Sequence, residues 1–139
     1  MCSLCRGVKT DLPGSPHTWS VGLDCCVVSD LAWPTLRDEV NASAGITDSI
    51  AAHGVRVLHN NANFASGESG AASTVGCLLA ISRDARYHEA LGLTSDSHVL
   101  VFNTEGVTDP VTTEQILEES GEDVVLHRDV TMHFADGAW

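Results

Sequence analysis

Gly67-Glu68-Ser69-Gly70-Ala71 is a glycine-rich turn that runs straight into an apolar stretch at helical spacing: Ala71, Ala72, Val75, Leu78, Leu79 and Ser82. Further on, Val99-Leu100-Val101-Phe102 is a short apolar, β-branched run that stops abruptly at Asn103-Thr104-Glu105-Gly106. A turn feeding a helix, beside a strand whose carboxyl end carries polar groups, is where open α/β sheets hold ligands. The pair predicts an α/β chain with its functional site between the two stretches.

The flanking sequence reads mostly as helix. Ser29 or Asp30 offers a cap for a helix over 31–42, with Trp33, Leu36 and Val40 on one face, Pro34 in the first turn and Gly45-Ile46 as the break. Thr47 and Asp48 are caps for a second helix to about residue 58, and Ile50, Gly54, Val57 and Leu58 share a face. Gly54 inside that face costs about 1 kcal/mol relative to alanine, so it predicts close helix packing. Residues 60–64 read as a polar connection. The third helix starts near Ser69, and its small residues let a neighbour or a flat ligand lie close. A short helix over 85–91 ends at Gly92, and 98–102 reads as a short buried strand. Asp109-Pro110 opens a helix running to Glu119 and stopped by Gly121. A last edge strand is expected at 124–127 and a tail from 128 onward. The whole chain reads as a single partial domain, irregular at 1–16 and 128–139.

Composition narrows the function classes. The 139 residues carry 19 acids against 7 Lys plus Arg, a net charge of −12. Without a basic patch to displace phosphate counterions, nucleic-acid binding is not expected. An acidic membrane surface would repel the chain, and no apolar run is long enough to span a bilayer. Five cysteines without a secretory signal predict free thiols and a cytoplasmic location. Such an acidic surface also suits a high-salt cytoplasm.

The motifs taken together resemble a known family. Thr18-Trp19-Ser20-Val21-Gly22-Leu23-Asp24-Cys25, Trp33 with Leu36-Arg37, Ser66-Gly67-Glu68-Ser69-Gly70-Ala71, Leu91-Gly92-Leu93 and Thr104-Glu105-Gly106-Val107-Thr108-Asp109-Pro110 follow in order. They are similar to the C-terminal third of the diaminopropionate ammonia-lyases, pyridoxal-phosphate (PLP) enzymes of the tryptophan-synthase-β type, fold type II. The resemblance covers about residues 17–121. It implies helices packed on a small partial sheet, and a reaction that turns 2,3-diaminopropionate, a small amino acid, into pyruvate and ammonia. It also implies a possible homodimer.

The resemblance further implies what this stretch lacks. The family's Schiff-base lysine, proton-abstracting aspartate and phosphate loop lie in the upstream two thirds. The one lysine here, Lys9, sits in a turn-rich segment and reads as a solvated surface residue. No catalytic residue is therefore assigned. A separately encoded N-terminal portion is the expected partner.

What carries over is the wall under the cofactor ring. The family places a hydroxyl at the end of the last core strand against the pyridine nitrogen, and that place falls on Asn103, with Thr104 next. Asn103 is a departure, but its amide can donate to a ring nitrogen as a hydroxyl does. Both residues equally suit a plain strand-end turn. Gly67, Glu68, Ser69 and Gly70 would pack against the ring, and Glu68 also suits a helix N-terminus. Thr18, near the mouth, is a candidate for meeting substrate. Glu105 and Asp109 read as a turn acid and a helix cap.

Other constellations are weaker. Cys2 and Cys5 with Cys25-Cys26 suggest zinc, but adjacent cysteines point different ways and no histidine pair sits four apart, so no metal is assigned. His127, His133 and Asp136 read as surface residues. The Gly-x-Ser-x-Gly elbow of a serine nucleophile is absent. Two readings of different class remain: part of a PLP ammonia-lyase that is inactive alone, or an acidic binding module that kept the scaffold without the chemistry.

Overall fold

The computed structural model describes residues 3–14, 17–119 and 129–134. In order it contains α1 (Ser3–Arg6), a 3-10 turn (Val21–Leu23), α2 (Trp33–Glu39), β1 (Ala42–Ile46) and α3 (Asp48–Ala62). There follow a wide π-type turn (Glu68–Ala72), α4 (Ser73–Ile81), α5 (Ala85–Ala90), α6 (Pro110–Glu118) and β2 (Val130–Phe134). The architecture is mixed α/β, with helices on a two-stranded antiparallel sheet in which Ala42 faces Phe134 and Ile46 faces Val130. Among the described residues no helix is long and apolar enough to cross a membrane.

Helix α3 is the spine, because its buried residues Ile50, Ala51, Ala52, Gly54 and Val55 serve two cores. On one side Ile50 packs with Ala80, Ile81 and Val130, joined by Ile46, Leu78, Tyr87 and Met132. On the other, Ala52 and Val55 meet Ala72 and Ile116, joined by Leu58 and Leu117. The close packing expected at Gly54 is present. A Cβ there would lie 1.8 Å from the Ala72 carbonyl oxygen, and one on Gly76 would lie 2.0 Å from that of Ile50. The two glycines are reciprocal notches, so α3 and α4 touch backbone to backbone.

The local signals placed most helices. Thr47 precedes α3 with extended backbone, which then runs past the expected end to Asn63 in the left-handed region. Asp109 caps α6, its Oδ1 accepting from Val111 N–H and Thr112 N–H, each at 3.1 Å. Gly92 follows α5 at φ +63°, the conformation its C′ position requires. Ser29 Oγ accepts from Ala32 N–H at 3.4 Å ahead of α2, with Pro34 in the first turn.

Three expectations are corrected. The helix over 31–42 stops at Glu39, and Gly45-Ile46 belongs to β1 rather than to a helix break. The 128–139 tail contains β2, the partner that makes β1 a strand. Residues 98–102 form no strand and are not buried: Val99, Leu100 and Phe102 are 55%, 78% and 73% exposed, because no described element lies over them. The strand expected at 124–127, the stop at Gly121, and Cys2, His127 and Asp136 lie outside the described residues.

Candidate functional site

The glycine-rich turn begins at Gly67, which has extended backbone (φ −70°, ψ 166°). The chain then widens into the π-type turn, where Gly70 leaves helical geometry at φ −85°, ψ −135°, before α4 starts. Gly70 is thus a kink between two helical pieces. It turns the N–H groups of Ala71 and Ala72 toward side chains instead of toward carbonyls of the helix. Ala71 N–H donates to Asn103 Oδ1 at 3.0 Å, and Ala72 N–H donates to Ser66 Oγ at 3.2 Å. The Ser66 hydroxyl in turn reaches Asn103 Oδ1 at 2.9 Å and the Gly67 carbonyl at 3.0 Å.

The two stretches singled out in the sequence are therefore in direct contact. Gly67 N–H donates to the Glu105 carbonyl at 3.3 Å, a second tie between them. The approach is too close for side chains. A Cβ on Gly70 would lie 2.5 Å from Asn103 Oδ1 and 2.9 Å from the Glu105 carbonyl oxygen. One on Gly67 would lie 2.5 Å from the Gly106 carbonyl oxygen.

Asn103 is an exposed residue whose carboxamide oxygen accepts two hydrogen bonds. An amide oxygen held by two donors fixes which end is oxygen and which is nitrogen. Its NH₂ group makes no hydrogen bond among the described residues. Thr104 is exposed beside it. Glu68, by contrast, is 3% exposed and turns inward, where Thr113 Oγ1 on α6 donates to its Oε1 at 3.4 Å. Ser69 Oγ accepts from Gly22 N–H at 2.9 Å.

The segment carrying Thr18 closes one flank. Ser20 Oγ lies 3.4 Å from Ser73 Oγ and 3.5 Å from the Glu68 carbonyl, which also accepts a short hydrogen bond from Ser73. Thr18 stands two residues earlier. Its hydroxyl donates to Asp48 Oδ1 and accepts from Ser20 N–H at 3.0 Å, so it ties the segment to the start of α3. It lines a cavity of about 420 Å³ with Ser20, Asp24, Cys25, Thr47 and Asp48. A larger cavity, about 540 Å³, adjoins it across Leu12, Cys25, Cys26, Ala44 and Gly45 and reaches Trp33, Leu36 and His133.

Sequence reasoning missed the hydroxyl ties of Ser66, Ser20 and Ser73. Ser66 and Ser20 stand inside the family motifs, but nothing in the sequence assigned them these ties, and Ser73 carried no signal. Lys9 forms an ion pair with Asp30, away from these residues. Charge around the site is acidic and hydrogen-bonded. The Thr112 hydroxyl holds the exposed Asp109 carboxyl below its usual range, helped by the backbone N–H groups of Thr112 and Val111. Among the described residues no three His, Cys, Asp or Glu side chains gather to hold a metal.

No family model matches the chain. Individual proteins do match it. The chain is similar to the diaminopropionate ammonia-lyase of Escherichia coli K12, 38% identical over 122 aligned residues that cover 78% of this chain and 29% of that enzyme. The diaminopropionate ammonia-lyase of Salmonella typhimurium LT2 is 33% identical over 119 residues, 75% of this chain and 29% of that enzyme. The resemblance read from the motifs is thus borne out. The chain spans under a third of the length of these relatives.

Proposed function

We propose that this chain is the part of a PLP-dependent diaminopropionate ammonia-lyase that closes the ring-nitrogen side of the cofactor pocket. The whole enzyme would convert 2,3-diaminopropionate to pyruvate and ammonia. The observation that carries the reading is Asn103. Ser66 and Ala71 hold its oxygen, which leaves an unpaired amide donor at the polar tip that the family uses against the pyridine nitrogen.

The residues fit such a group. Asn103 Nδ2 would donate to an unprotonated ring nitrogen, and Thr104 would stand beside it. The Gly67–Gly70 turn, packed at both glycines against residues 103–106 and braced by Ser69 and Gly22, would hold Asn103 in place beside a ring. When bound, PLP supplies the electron sink for removal of the substrate's α-proton and β-amine. The tasks of this chain are orientation and exclusion of water. Glu68 braces the turn from below through Thr113, and Thr18 fixes the flanking segment by which substrate would enter.

Proton transfer and covalent attachment belong to groups this chain does not provide. Lys9 is engaged by Asp30. The chain by itself is therefore proposed to be inactive, and to work beside a polypeptide that carries the Schiff-base lysine. The test is equilibrium dialysis against PLP, with pyruvate measured from diaminopropionate. Both are run with the chain alone and with the portion of the E. coli K12 enzyme that precedes the matched region. Retention and pyruvate only in the mixture are the expected result. Pyruvate from this chain alone overturns the division of labour. Absence of PLP retention in the mixture favours the acidic binding module instead.

A further inference from the structure

We propose that the two adjoining cavities, one apolar and one acidic, form a binding site for a small amine that carries an apolar or aromatic body. The proposal does not rest on the lyase reading, since neither Asn103 nor the Gly67–Gly70 turn lines either cavity.

The larger chamber, about 540 Å³, has an apolar wall of Leu4, Leu12, Val28, Trp33, Leu36 and Val40. The smaller, about 420 Å³, opens onto the hydroxyls of Thr18, Ser20 and Thr47 and the carboxylates of Asp24 and Asp48. Both volumes fall in the range of small-molecule sites, and neither chamber has room for a helix about 10–12 Å wide. Cys25, Cys26 and Gly45 border both chambers, which therefore lie side by side and within reach of one ligand. Such a ligand has a polar head for one chamber and an apolar body for the other. Trp33 offers that body an aromatic surface.

Charge selects the head. Among the described residues no lysine or arginine lines either chamber, so an anionic head finds no partner. The two carboxylates differ in what already holds them. Asp48 is occupied within the protein: its Oδ1 accepts from the Thr18 hydroxyl and its Oδ2 from Trp19 N–H at 3.2 Å. The Asp24 carboxylate accepts only from the Cys26 thiol, at 3.9 Å, among the described residues. A thiol is a weak donor, so Asp24 keeps its capacity for an ammonium group. A charge-assisted bond of that kind is about twice as strong as a neutral one. Asp24 therefore receives the head, and the chamber beside Trp33 receives the body.

The experiment is calorimetric titration of the full chain with 4-phenylbutylamine. Binding is expected, with a change in tryptophan emission that disappears in Trp33→Phe while the heat remains. 4-Phenylbutyrate, with a carboxylate in place of the ammonium, and butylamine, without the ring, should each bind about tenfold more weakly or worse. Asp24→Asn should weaken binding of the amine by about tenfold. Gly45→Val should abolish it by filling the junction of the chambers. A Cβ at Gly45 meets only the Thr131 carbonyl oxygen, at an ordinary 3.9 Å, and valine suits a strand. Urea unfolding should therefore show this variant at least as stable as the parent, which separates a blocked site from a damaged fold. Equal binding of the amine and the carboxylate overturns the proposal. So does amine binding that survives unchanged in both Asp24→Asn and Gly45→Val, or the absence of binding by the amine. Self-association of the chain that Gly45→Val abolishes and the amine leaves intact makes the occupant a second copy, and also overturns it.

Discussion

Helices α3 and α4 and the stretch 98–108 are built on opposite principles. The helices have few large side chains between them; they meet because Gly54 and Gly76 let backbone touch backbone. The first part of the stretch, 98–102, is rich in large apolar side chains and largely exposed: Leu100 and Phe102 are among the most exposed residues of their kind. Closeness of approach, rather than hydrophobicity, decides which half is packed. The site sits where the two halves meet. The Gly67–Gly70 turn is continuous with α4, while Asn103 comes from the uncovered stretch and is pinned to the turn by its side-chain oxygen.

The comparison is broken most directly at its tight end. Gly54→Ala should favour isolated helix by about 1 kcal/mol. The same methyl meets the Ala72 carbonyl oxygen at 1.8 Å and the Gly76 nitrogen at 3.0 Å, all backbone atoms that cannot rotate away. The helices must separate, and the overpacking should dominate, for a net loss of about 3 kcal/mol. Gly76→Ala, against the Ile50 carbonyl, should behave alike, and the pair should be less than additive because one separation relieves both clashes. Urea unfolding at unchanged m-value measures this. A Gly54→Ala protein as stable as the parent would mean that the two helices are not in backbone contact.

A smaller effect is expected where the halves join. Asn103→Ala removes the acceptor for Ala71 N–H and the Ser66 hydroxyl, and should cost about 1 kcal/mol, since water can replace an exposed partner. Asn103→Ser should cost about as much, because the shorter hydroxyl does not replace the two bonds to the turn. The two variants should part in cofactor retention, measured by dialysis beside the complementing polypeptide. Serine restores a donor at this place and should rescue retention, whereas alanine should not. Equal retention by both would make Asn103 a brace for the turn and nothing more.

This division also marks what the sequence could disclose. Caps and stops are local chemistry, so Thr47-Asp48, Asp109-Pro110 and Gly92 announced α3, α6 and the end of α5. Gly54 announced close packing because a glycine inside an apolar helical face needs a steric reason. Ala42-Ser43-Ala44-Gly45-Ile46 announced nothing. Its residues have low strand propensity until Ile46, and it is a strand only because Val130–Phe134 pairs with it from the far end of the chain. The apolar run at 98–102 misled in the other direction, since local hydrophobicity signals a wish for cover and burial depends on what provides it. At the site, the nearness of Gly67–Gly70 and Asn103 was legible in the turn and strand-end pattern, while their direct hydrogen bonding was not. The serine ties were not, because serine has no characteristic pattern.

The smallest expected effect lies within the packed half and is one of pH. His53 is on α3, half-buried, and its pKa is lowered from the ordinary 6.5, first by burial and then by the positive charges of Arg83 and Arg56. The folded protein therefore resists a proton that the unfolded chain accepts. Above the unfolded value His53 is neutral in both states and contributes nothing. As pH falls from about 7 through that value, the unfolded chain binds more protons and stability declines. His53→Gln should leave stability near neutrality little changed and flatten the decline on the acid side. Urea midpoints for parent and variant across that range measure the difference, and the two curves should diverge only below the unfolded value. Divergence on the alkaline side would reverse the sign and would mean that His53 gains a proton on folding, which the two flanking arginines forbid.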